Sequence, residues 1–233
     1  MPTRLKTFCV CALGLAMIPA CEDEARHSRK AAPGDELFGS PHVINLALVI
    51  SPGQLETLKT NKDSHAYVRC TWREGDTSLE HVAIRCNGRP AKEFATGKPD
   101  FTVTFDKFVP DQEFHGVERL VLQSSRDDPS YLSAPVATEM FRSAGVPAPR
   151  CSFARVALNG SDLGLYILVE GVNRDFLRQH FQKYKGRLYV YDEDHRTNTV
   201  GKFEKSGLRS PGGKSDLNAL TAAVRQSDPD KRW

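Results

Sequence analysis

The cysteine at position 21 is the first residue whose setting points to chemistry. It follows Ile18-Pro19-Ala20, an aliphatic residue and then small ones, the pattern that precedes a thiol destined for lipid attachment. Further on, Gly207-Leu208-Arg209-Ser210-Pro211-Gly212-Gly213-Lys214-Ser215 invites comparison with a phosphate-cradling loop. That loop needs G-x-x-x-x-G-K-[ST], and the required first glycine is Leu208 here. Asp192-Glu193-Asp194-His195 offers oxygen and imidazole donors but neither the spacing nor the glycine of a calcium loop, and reads as a solvated acidic turn. His115 and His180 have no identifiable nucleophile beside them, which argues against Ser/His/Asp hydrolysis. Cys70, Cys86 and Cys151 lack the close spacing of a zinc site.

The N-terminus explains Cys21. Arg4 and Lys6 form a short basic region, and Phe8 to Ala20 is apolar or small. Such a run is too short to cross a bilayer, which takes about 20 apolar residues, and suits a signal-peptide core. The expectation is export with a lipid on Cys21; ordinary cleavage after Ala20 is the alternative. Residues 22–36 (EDEARHSRKAAPGDE) are charged and have no apolar face, so a flexible tether is expected. Losing Arg4 and Lys6 with the leader takes the net charge from +3 to +1, which excludes a bulk electrostatic case for nucleic acid. With 39% apolar residues the remainder can build a core.

Strand-length apolar or alternating runs occur at 43–50, 65–72, 79–86, 101–105, 117–122, 153–158 and 163–169. The second pair is joined through Glu74-Gly75-Asp76, the last pair through Asn159-Gly160, which tolerates a tight turn. Cys70 and Cys86 lie on the two strands of the first hairpin, so a disulfide and two separate buried thiols are both open. Ser51-Pro52 opens a short helix. Asp128-Pro129-Ser130 opens the main one, which runs to about Ala144 with a Leu132, Val136, Met140, Phe141 stripe and Gly145 at its end. Another helix begins at Asn173 or Asp175, and a last one spans about Asp216–Arg225.

Three stretches in order carry a family resemblance: Lys98-Pro99-Asp100-Phe101 to Phe108; Leu120-Val121-Leu122 followed by Asp128-Pro129-Ser130-Tyr131-Leu132; and Glu139-Met140-Phe141-Arg142 through Gly145-Val146-Pro147-Ala148-Pro149-Arg150. With the Asn159-Gly160 hairpin and Val169-Glu170, this resembles the CotH family of spore-coat-type, protein-kinase-like proteins. The resemblance implies an α+β fold: a protein-kinase-like N-lobe of antiparallel sheet plus one main helix over 39–172, and a partial second lobe over 173–233. Residues 1–20 and 21–38 remain leader and tether. It further implies transfer of the γ-phosphoryl group of ATP, with Mg²⁺, to a Ser-rich extracytoplasmic protein.

On that basis Lys98 is expected to contact nucleotide phosphates, Glu139 to orient it, and Glu170 to lie at the adenine-binding hinge or to cap the helix that follows. Several positions depart from the family. Arg85-Cys86-Asn87-Gly88-Arg89-Pro90 replaces a more polar loop, Gln123–Asp127 replaces an Asn-rich segment, and Ser133-Ala134 stands where an Arg-Glu pair is usual. The family's catalytic and metal-binding aspartates fall beyond Trp233, so these residues are expected to form a truncated copy, inactive by itself. A surface binding or adhesion module, anchored by lipid and without catalysis, is the competing expectation.

Overall fold

The structure, a computed structural model, describes residues 32–60, 66–88, 90–182, 189–191, 203–205 and five positions between 218 and 225. Cys21, the 192–195 acidic run and the 207–215 loop lie outside them, as does half of the last helix. Along the chain come α1 (Asp35–Gly39), β1 (Ile44–Val49), α2 (Pro52–Thr60), β2 (Val68–Glu74), β3 (Thr77–Cys86), α3 (Pro90–Ala95), β4 (Phe101–Thr104), β5 (Arg119–Gln123) and α4 (Ser133–Ser143). Then follow β6 (Cys151–Leu158), β7 (Ser161–Glu170), α5 (Arg174–His180), β8 (Tyr189–Tyr191) and β9 (Phe203–Lys205).

Seven strands close into a barrel in the order β1-β2-β3-β4-β5-β7-β6, and β8 and β9 pair separately. This overturns the expected α+β, kinase-like N-lobe. The reason lies in one pairing: β1 runs parallel to β6, with Ile44 opposite Ala154 and Leu48 opposite Leu158, so the sheet has no free edge for a helix to cover. Period-2 burial in β5 and β6 turns one face inward, and the core is supplied by the sheet itself. Trp72 is its centre, edge-on to Phe105 at 5.3 Å and to Phe114 at 5.2 Å.

Asn159 helps close the barrel. It takes the positive φ of the β6–β7 turn, while its side-chain amide accepts from Ile50 N (2.7 Å) and donates to Ile50 O (2.8 Å), continuing the β1 ladder by a side chain.

The main helix differs most from expectation. It starts at Ser133, because the Asp128 carboxylate accepts from Ser130 N (3.0 Å) and Ser133 N (2.9 Å) and holds 128–132 as a turn. Its end is as foreseen: Gly145 adopts φ 77 and Val146 N returns to Phe141 O. No residue of α4 is buried; Val136, Met140 and Phe141 are 52%, 68% and 56% exposed. The apolar stripe read from the sequence therefore faces outward.

The tether expected through residue 38 is packed from Pro33 on. Gly34 N donates to His115 O, Leu37 is buried, and a Cβ on Gly34 (φ 79) would stand 2.8 Å from Val117 Cγ2. Cys70 and Cys86 are free thiols, each pushed up to about 12 chiefly by burial. Register keeps them apart: Cys70 faces Val82, four residues along β3 from Cys86, which amounts to about 13 Å at strand rise. A disulfide needs Cα atoms within about 7 Å.

Candidate functional site

Lys98 is delivered by the turn between α3 and β4, where Gly97 (φ 77) reverses the chain after Gly97 N has donated to Phe94 O. Its Nζ donates to the Tyr131 hydroxyl at 2.6 Å and lies 4.8 Å and 5.0 Å from the ring centroids of Tyr131 and Tyr166. Tyr166 is fully buried and donates to Pro99 O at 2.9 Å, so that wall is fixed. Burial pushes the Tyr166 phenol up, with Asp100 adding to the effect.

Polar groups around the strand end are tied to each other. Asp100 Oδ1 accepts from Ser124 N (2.6 Å), Thr102 Oγ1 donates to Asn87 Oδ1 (2.6 Å), and Arg126 donates to Glu93 and Thr96. Among the described residues Tyr131 is the one hydrogen-bond acceptor for Lys98, and no carboxylate ion-pairs with it. Phenol and aromatic faces hold an ammonium without supplying a formal counter-charge. Such an arrangement can receive an anionic oxygen.

Glu139 is elsewhere engaged. It sits exposed on α4, ion-paired with Arg142 one turn on, beside a groove lined by Phe38, Val136, Met140 and Cys151. The structure does not bring Glu139 into hydrogen-bond or ion-pair contact with Lys98.

Glu170 differs from its expected role in another way. It is 5% exposed and accepts from Arg150 N, Nε and Nη2 at 3.1, 2.9 and 2.6 Å. The cap on α5 is Asn173, whose side chain accepts from Asp175 N and Phe176 N.

Sequence reasoning missed Tyr131, Tyr166 and two titrating clusters, because each joins residues far apart in the chain. Both ring nitrogens of His115 face carboxylates, Glu36 at 3.2 Å and Glu74 at 2.7 Å. Burial opposes its charge, yet these bonds outweigh burial and raise its pKa. Glu118 hydrogen-bonds to Asp175 and accepts from Asn173 Nδ2 (2.9 Å); burial and then Asp175 push it up to about 7.

A carboxyl raised in the fold adds stability below its unfolded pKa and loses it as pH climbs through the folded one. Glu118 should therefore make stability fall between about 4.5 and 7, and His115, raised above 6.5, should extend the fall upward. Glu118→Gln, which keeps a donor toward Asp175 at every pH, should flatten the lower part and match or exceed the wild type at about pH 8. Urea denaturation across that range checks this; an unchanged slope in the variant would contradict it.

Comparison with known proteins adds the family. Residues 84–230 match the family described as CotH kinase protein. The chain is also similar to the inner spore coat protein H of Bacillus subtilis (strain 168), 24% identical over 158 residues that cover 68% of this chain and 42% of that protein. It thus spans less than half the length of the curated relative that it matches. With a match across more than half of its residues, the chain belongs to the CotH family.

Proposed function

We propose that the protein is an exported CotH-family phosphotransferase that moves the γ-phosphoryl group of ATP to a Ser-rich protein outside the cytoplasm, with Lys98 contacting the nucleotide phosphates. The observation that carries this is the setting of Lys98: an ammonium held between two tyrosines, with no carboxylate ion-paired to it among the described residues. A lysine so placed supplies a point charge and N–H donors to phosphate oxygens. Family membership supports the reaction class.

ATP and Mg²⁺ are the proposed cofactors. The Lys98 donors fit phosphate oxygens. Among the described residues no three His, Cys, Asp or Glu side chains converge to hold a metal, so they do not fit the cation and no step runs through it. What this chain's described residues contribute is charge and position at Lys98.

Export through the leader and anchoring by a lipid on Cys21 belong to the same proposal. A relative named as a spore coat protein suits a place outside the cytoplasm, and no described helix is long and apolar enough to cross a membrane. The partner is an extracytoplasmic protein, not nucleic acid.

A second reading, a non-catalytic surface binding module, is favoured by the outward apolar stripe of α4. Affinity labelling separates the two. A lysine-reactive acyl-phosphate derivative of ATP should acylate Lys98, with peptide mapping showing suppression by excess ATP. Labelling that spares Lys98, or ignores ATP, would favour the binding module.

A further inference from the structure

The residue that orients Lys98 lies outside the expected carboxylate. We propose that Tyr131 is the positioning residue for Lys98, holding its ammonium ready for a phosphate-bearing ligand; this rests on the reading of Lys98 as the phosphate contact. The hydroxyl stands 2.6 Å from Nζ, and no other described acceptor takes the remaining two N–H groups. Those two are the ones that a phosphate would use.

Tyr131 itself is held against its preference. Its φ of 60 lies in the left-handed region, which a bulky side chain rarely adopts and which persists only where surroundings over-determine it. Asp128 does so here: its carbonyl accepts from Tyr131 N (3.1 Å) and its carboxylate from Ser130 N and Ser133 N. Ser130 Oγ adds a bond from Leu132 N at 3.2 Å. The turn therefore spends backbone strain to aim one phenol at one amine across 33 residues of sequence.

Chemistry favours a phenol for this task. A carboxylate would also hold the lysine but would add a negative charge beside the phosphate, whereas a hydroxyl fixes the flexible four-carbon stem without one. The gain comes from ordering that the ligand no longer has to impose.

Tripolyphosphate binding by calorimetry tests this on the wild type, Tyr131→Phe, Lys98→Met and the double variant. Phenylalanine keeps the ring and removes only the hydroxyl. Tyr131→Phe should weaken binding about 3- to 10-fold, the effect of freeing one long side chain. In the Lys98→Met background the same change should do nothing, because Tyr131 acts only through Lys98. NMR of lysine side chains should show the Lys98 Hε/Cε signal shifting toward its free position in Tyr131→Phe. Unchanged affinity and signal in Tyr131→Phe, or an equal loss in both backgrounds, would overturn the positioning role alone. Equal affinity of wild type and Lys98→Met would end the phosphate reading, and the role of Tyr131 with it.

Discussion

Replacing Glu170 by alanine should cost about 3–5 kcal/mol of folding stability, the range found when one partner of a buried ion pair is removed. The size follows from what remains. Arg150 is only 16% exposed in its side chain, and Glu170 takes three of its N–H groups, counting the backbone amide. Without Glu170 the guanidinium keeps Asp35 Oδ1 (2.9 Å), Pro33 O (2.6 Å) and the face of Phe38 (4.7 Å). Asp35 is half exposed and a weak substitute for a buried carboxylate.

The loss should also be local. Arg150 joins the end of β7, the start of β6 and the segment 33–38, so that segment should become open to proteolysis before the barrel melts. Urea denaturation with limited proteolysis reads both effects. Replacing Arg150 and Glu170 together by apolar residues should cost less than the single change, because no orphan charge is left. A single-variant cost below about 1 kcal/mol would mean that Glu170 is spectator to a surface contact.

Local signals carried most of the strands into the structure. The hairpins at Gly75 and Asn159-Gly160 formed where turn chemistry placed them, and Gly145 ended α4. What local signals could not supply was closure. Nothing in 44–48 announces 154–158 as a partner, since a parallel pairing has no turn to mark it. With the barrel closed, the amphipathic pattern of α4 no longer implied burial. Asp128 misled in a similar way: its carboxylate organises the turn before the helix and takes the amide of the first helical residue, Ser133, from five positions upstream, so the helix opens at Ser133 and not at Asp128.

The site divides along the same line. Lys98 stood out through its place in an ordered set of motifs, but the residue that contacts it did not. The resemblance supplied Glu139, which the helix pairs with Arg142, while the phenol that meets the amine comes from a strained turn. Glu170 stood out by position, yet its burial against Arg150 depends on strands β6 and β7 lying side by side, with Glu170 N donating to Arg150 O. Strain and long-range side-chain pairing leave no periodic trace in a sequence.

The Lys98 reading carries the second large effect. A hydrogen bond to a charged group is worth about 1.5–3 kcal/mol, and each 1.4 kcal/mol is about tenfold in affinity. Lys98→Met, which keeps the apolar stem between the two rings and deletes the charge, should therefore weaken ATP binding about 10- to 100-fold. Stability should change little, because among the described residues the amine makes one hydrogen bond, to a hydroxyl, and no ion pair. Calorimetric titration of ATP with Mg²⁺ into the wild type and Lys98→Met is the most direct measurement. Saturable binding that collapses in a variant of unchanged melting temperature is the predicted result. Wild-type protein that takes up no ATP, or a variant that binds it as tightly, would contradict the account.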